Sequence, residues 1–283
     1  MSSPTRVLAM GEAVRLGGSD APLSFSRPEP GGALGARRLQ LEGADAYELS
    51  WWCGTCPLVF ERLTGAGRVP SSEELEQLLN GGLAGIHETV LNAAEVLVPE
   101  ATYVPLLLSV RPELVMPADA SDYFAHEQVA HRGVEPFWGI PHHPKTPYYR
   151  GGTSALGEHE FLFEFVVPMV PPSWNQRERV DEYEGLIRSG AEPTVFALGI
   201  LDHTQPFDSR DAHTGLMHFV LDGHHKLEAA ARLGVEIQVL SLVSLDDSLG
   251  REEAERVLAG LQSLDESADP TAPSGREADL FSQ

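Results

Sequence analysis

The chain is nearly without cysteine, holding two in 283 residues. That excludes the disulfide framework by which small secreted domains compensate for thin cores. It is also short of apolar runs, with none reaching the about 18 residues that a membrane-spanning helix requires. The opening "MSSPTRVLAMGEAVRLGG" has no basic segment followed by an apolar stretch, so no secretory signal is expected. Positive charge is scarce: 20 Lys and Arg stand against 42 Asp and Glu, for a formal net charge of −22. Duplex nucleic acid is held chiefly by cations on its phosphates, and no segment here offers a basic stripe. These absences predict a cytoplasmic protein that neither enters a membrane nor binds DNA or RNA.

What is present supports packed structure. A hydrophobic fraction of 42% is enough for real cores, and the length suits about two domains. The first 45 residues are rich in Gly and Pro, with short strand-like pieces such as "RVLAM" and "PLSFS". "AYELSWW" alternates as a strand does, and "CPLVFERL" reads as a helix after it. "SSEELEQLLNGGLAGIHETVLNAAEVL" has helical period: Ser71 or Ser72 can cap it, Glu73 and Glu74 suit its positive end, and Leu75, Leu78 and Leu79 share a face. Gly81 and Gly82 should divide it into two helices. "TYVPLLLSV" reads as a strand that Pro105 pushes toward a sheet edge. Residues 111–157, with "PFWGIPHHPKTPYYRGG", read as a long loop or interdomain connection, whose "HHPKTPYY" part could line a groove between domains.

From Glu158 the pattern becomes regular. "EFLFEFVVPMV" is a strand, "RERVDEYEGLIRSG" a helix ended by Gly190, and "PTVFALGILD" a second strand. A turn-rich insertion follows (202–215), then the strand "MHFVL", the turn "DGHHK", the helix "KLEAAARLG" and the strand "IQVLSLVSL". "REEAERVLAGLQSL" is an amphipathic helix, and the tail from residue 265 is too polar to order itself. The expected organisation is an N-terminal lobe over 1–155, a C-terminal domain over 156–250, a helix over 251–264 and a tail over 265–283.

"HFVLDGHHKLEAAARLG" is the stretch that carries chemistry. A short apolar strand runs through Asp222 and Gly223 straight into a helix starting near His225. Gly223 permits a backbone conformation that other residues resist, and the unpaired N–H groups of the first helical turn, with the positive helix end, attract anions. Lys226 adds a charge, and His224 and His225 add donors or a base. Ala229, Ala230 and Ala231 let the helix lie close on a sheet. A glycine turn of this type is equally at home as plain structure, with the histidines forming a capped surface pair.

"VLDGHHKLEAAARLG" resembles the signature of the ParB/sulfiredoxin-like superfamily, which shares a strand, a Gly-His-Arg-type turn and an Ala-rich helix. "FVVPMVPPSWNQRERVDEYEGLIRSGAEPTVFALGI" extends the likeness upstream, so that it covers roughly residues 160–245. Sulfiredoxins place a catalytic Cys where His224 stands, so sulfinic-acid reduction is not implied. Chromosome-partitioning ParB proteins use an Arg-rich turn and a basic DNA-binding part, and this chain has neither. The nearest form of the turn is Asp-Gly-His-His-Arg, which resembles the ParB-like free-serine kinases that use ADP or ATP. The resemblance implies a mixed sheet with helices in the C-terminal domain; with an α/β N-terminal lobe, which the likeness does not cover, the expected fold class is α+β. The resemblance also implies ATP or ADP with Mg²⁺ held at Gly223, His224, His225 and Lys226, and a small-molecule phosphate acceptor. Asp222 would position the metal or the hydroxyl, and His225 would join it in catalysis. Lys226 replaces the usual Arg, turning a bidentate contact into a point charge. Glu164 and Asp202 are the carboxylates that could converge on the turn to bind Mg²⁺ or act as base. Their plain alternatives are the far face of a strand for Glu164 and the start of "LDHTQPFD" for Asp202. Without turnover, the same domain would serve as a nucleotide-sensing or scaffold module.

"SWWCGTCPLVFERL" is the second notable string. Its dozen residues resemble a thioredoxin active site, although no later Pro-containing strand completes that fold. Cys53 at a helix start would have a lowered pKa and, with Cys56, form a redox couple. The pair could instead hold zinc with histidines such as His87, His142 and His143, or be structural thiols.

Overall fold

The computed structural model describes residues 5–26, 36–51, 60–67, 70, 72–116, 119, 121–122, 146–204, 212–248 and 250–267. Cys53, Cys56, His142 and His143 lie outside these residues, as do the first four residues of "HHPKTPYY" and residues 268–283 of the expected tail.

In chain order the strands and helices are β1 (Arg6–Met10), β2 (Val14–Leu16), β3 (Leu23–Ser26), β4 (Ala36–Leu41), β5 (Ala44–Trp51), β6 (Phe60–Arg62), α1 (Glu73–Asn80) and α2 (Glu88–Glu95). There follow β7 (Ala101–Val110), β8 (Glu113–Val115), β9 (Tyr148–Gly157), β10 (Glu160–Pro168), α3 (Arg177–Arg188) and β11 (Thr194–Thr204). The chain continues through β12 (Ala212–Asp222), α4 (His224–Leu233), β13 (Ile237–Ser244) and α5 (Arg251–Ser267). The protein is α+β. Among the described residues the strands form a nine-stranded mixed sheet, ordered β1-β7-β13-β11-β12-β10-β9-β8 with β2 also on β7, and a separate antiparallel sheet β3-β4-β5-β6.

Alternation along the strands gives the large sheet two buried faces. Val104, Leu106 and Leu108 of β7, Val195 and Ala197 of β11 and Val239 of β13 pack under Leu227 and Ala230 of α4 and Val257, Leu258 and Leu261 of α5. The opposite face, with Phe165, Phe196, Leu198, Phe219 and Leu221, is covered by Leu75 and Leu79 of α1, Val90 and Ala94 of α2, and the small sheet's Leu39, Tyr47, Leu49 and Phe60. α3 sits outermost, its Val180 and Tyr183 against Ala229 of α4.

Helices α1 and α2 separate where the glycine pair stands, with Gly82 at φ +78° and Ser72 capping Leu75 N–H. Three expectations need correction. The boundary at 155/156 falls inside β9, and β1, β7, β8 and β9 pair into the same sheet as β10–β13. Residues 111–157 therefore hold two strands where a loop was expected. "FER", read as helix, is β6. Pro105 lies in an interior strand, between β1 and β13. Its carbonyl accepts Gly11 N–H at 2.8 Å, so its ring nitrogen faces the same side, where β1 stops at Met10 and β2 begins only at Val14. A residue's N and C=O point to the same neighbour, and here that neighbour is interrupted, so no ladder bond is lost.

Candidate functional site

β12 ends at Asp222 and α4 begins at His224, with Gly223 between them at φ +96°. Glycine is required there twice over: the left-handed backbone disfavours any side chain, and a Cβ would stand 3.1 Å from Val195 Cα. At the other end of α4, Gly234 (φ +64°) closes the helix, with its N–H on Ala231 O and Val235 N–H on Ala230 O, each at 3.2 Å. The turn and helix are built as expected, and the two histidines and Lys226 do gather at the helix N-terminus.

Both ring Nε2 atoms and the Lys226 ammonium have partners within the fold. His224 is buried, and its Nε2 accepts the main-chain N–H of Met169 at 3.1 Å. His225, half-buried, accepts Gln176 N–H at 3.2 Å through its own Nε2. An Nε2 that accepts places the neutral ring's proton on Nδ1. Burial, with the neighbouring His225 charge adding to it, pushes the His224 pKa down to about 3. Burial also lowers that of His225, with the Arg179 guanidinium acting in the same direction. Lys226 is 1% exposed; its Nζ donates to Asp222 Oδ2 at 2.9 Å and Thr194 O at 3.2 Å, and lies 6.0 Å from the Tyr183 ring centre. Asn175 donates to His224 O (3.3 Å) and Glu228 Oε2 (2.8 Å), and Arg177 donates to Glu228 Oε1 at 2.5 Å. The segment from Met169 to Arg177 is thus tied down along the first half of α4.

Asp202 and Glu164 do not reach this turn. Asp202 pairs with Gly215 and Glu164 with Leu216 on β12, six or seven residues before Asp222, which is about 20 Å along a strand. Asp202 forms a buried ion pair with Arg37 of β4, and Arg37 also donates to Asp247 O, which joins the small sheet to the large one. Glu164 is buried beside Gly151 and accepts Gly152 N–H at 3.4 Å, and burial raises its pKa. His87 is the exposed N-cap of α2, and its side chain makes no capping bond. Among the described residues no three His, Cys, Asp or Glu are grouped to hold a metal ion.

A cleft of about 720 Å³ lies on the small sheet beside Arg38, Asp45 and Arg62. A second cleft, about 370 Å³, lies between β8 and α4 and reaches Glu228. The residues that sequence reasoning missed are Asn175, Gln176, Arg177 and Glu228 around the turn, and Tyr149 at the second cleft. "WNQRE", a few residues after a strand, was the available signal for Asn175, since an Asn side chain there can bond nearby main chain.

As arranged, neither ring Nε2 nor the Lys226 ammonium is free to hold a nucleoside polyphosphate with Mg²⁺. The ring Nε2 atoms are acceptors, the ammonium is buried on a carboxylate, and the two further carboxylates sit at the other end of the strands. No family model, curated protein or solved structure matches this chain. No helix among the described residues is long and apolar enough to cross a membrane.

Proposed function

We propose that the chain is a non-catalytic binding or scaffold module on a ParB/sulfiredoxin-like domain, in which the DGHHK turn fastens the fold. The observation that carries this reading is the commitment of the turn itself. Both imidazole Nε2 atoms accept main-chain N–H groups, and the Lys226 ammonium is spent on Asp222 and Thr194. The order β10-α3-β11-β12-α4-β13, with its glycine-ended helix and Gly223 turn, supports the choice of domain. A phosphotransferase would need carboxylates beside the turn's phosphates. Asp202 and Glu164, the two expected there besides Asp222, are engaged about 20 Å away.

The test is thermal unfolding against ATP, ADP, CTP and GTP, each with and without Mg²⁺. A nucleotide at a hundred times its Kd would add about 2.7 kcal/mol and move the midpoint visibly. The expected result is an unmoved midpoint in every arm. A Mg²⁺-dependent shift with one nucleotide that disappears in Lys226→Met would restore the turn as a phosphate site and overturn this reading.

A further inference from the structure

The cleft between β8 and the second half of α4 has a volume of about 370 Å³, within the range of about 300–1,000 Å³ that suits small molecules. It is lined by Arg111 and Leu114 on the β8 side, by Glu228, Ala231 and Arg232 of α4, and by Tyr149 of β9. β8 ends the sheet order on this side, so the cleft opens at an edge.

Tyr149 makes this cleft more than a surface dent. It is 1% exposed, and its hydroxyl is buried without a hydrogen-bond partner. Such a group costs about 1–3 kcal/mol when left unsatisfied, and native structures leave few of them. Of the polar neighbours lining the cleft, Glu228 receives Arg177 and Asn175, Arg232 is paired with Glu184 at 3.1 Å and Asp181 at 3.4 Å, and Glu113 stands exposed on β8 at the rim. Burial raises the phenol pKa, and the Glu228 charge raises it further, so the hydroxyl remains a protonated donor in search of an acceptor. Arg111 is exposed and has no ion-pair partner among the described residues. Leu114 is 39% exposed, and with Ala231 it supplies an apolar wall.

We propose that this cleft binds a small organic carboxylate whose oxygen accepts the Tyr149 hydroxyl, whose charge faces Arg111, and whose apolar body lies against Leu114 and Ala231. A carboxylate offers the acceptor that the phenol lacks and the anion that the Arg111 guanidinium lacks among the described residues. The site shares no residue with Asp222–Lys226, so a nucleotide at the turn would leave this inference standing.

The experiment is calorimetric titration of the full chain with benzoate, phenylacetate and hexanoate, each beside its primary amide, repeated on Tyr149→Phe and Arg111→Ala. At least one carboxylate should bind and its amide bind more weakly. Tyr149→Phe should weaken binding about tenfold, the worth of one hydrogen bond to a charged group. It should not lower the thermal midpoint of the free protein, because the lost hydroxyl had no partner. Arg111→Ala, at an exposed position, should also weaken binding and remove its salt dependence. Three outcomes would each overturn the proposal: no carboxylate binds, binding is unchanged in Tyr149→Phe, or that variant lowers the midpoint of the free protein.

Discussion

Lys226→Met separates a lysine that holds the fold from one kept for a ligand. Methionine preserves most of the buried stem and removes only the ammonium. In the fold that ammonium lies 2.9 Å from Asp222 Oδ2 and 3.2 Å from Thr194 O, on a residue that is 1% exposed. Breaking a fully buried pair costs about 3–5 kcal/mol, mainly because the partner is stranded. The Asp222 side chain keeps 23% of its exposure, so water recovers part of its hydration. The expected loss is therefore about 2 kcal/mol, or roughly a thirtyfold shift in the folding equilibrium. Urea unfolding of the wild type and variant measures it as a lower midpoint at unchanged slope. Asp222→Asn combined with Lys226→Met should cost less than the sum of the single changes, by about 1 kcal/mol. If Lys226→Met proves as stable as the wild type or more so, the fastening role fails. A buried charge that the fold carries at a loss is what a ligand-facing lysine would show.

Two further outcomes follow from the buried polar groups. His218 and His224 are each pushed down to about 3 by burial, while unfolded rings titrate near 6.5. The unfolded chain thus binds more protons below that value, so these groups' stability contribution is whole above 6.5 and is lost as pH falls toward 3. Urea midpoints should drop on acidification with a slope of about 1.4 kcal/mol per pH unit from each ring, and His218→Asn should remove one ring's share. A slope unchanged in that variant would contradict the burial argument. Arg37→Met removes the guanidinium paired with the Asp202 carboxylate, whose side chain is 1% exposed, and should cost about 3–5 kcal/mol, partly restored by adding Asp202→Asn. Equal midpoints for Arg37→Met and the wild type would show that the pair does not join the two sheets.

The C-terminal half of the fold was legible because its signals are local. Short apolar runs in β10 to β13, period 3.6 in α3 and α4, and glycines at 190, 223 and 234 each act over a few residues. Neighbourhood within the sheet is not local, and there the reading failed. Nothing in "TYVPLLLSV" indicates that it lies between β1 and β13, because the break in the neighbouring strand that accommodates Pro105 is set ninety residues earlier in the chain. β9 was hidden by its own glycines. Gly151 looked like loop, yet a Cβ there would meet the Glu164 Cβ at 3.0 Å, so the glycine admits a buried carboxylate from the next strand.

The same distinction decides the turn. An imidazole, an ammonium and a helix N-terminus beside a glycine are the ingredients of a phosphate site, and sequence shows the ingredients without their partners. A phosphate oxygen requires donors. The His224 and His225 Nε2 atoms are instead acceptors, supplied by Met169 and Gln176 from the segment between β10 and α3, and the ammonium has its anion in Asp222 four residues away. For a phosphate to be held there by these atoms, the rings would have to gain protons that burial resists, and Lys226 would have to leave Asp222. The groups that make the string look like a ligand site are the ones that close the chain on itself.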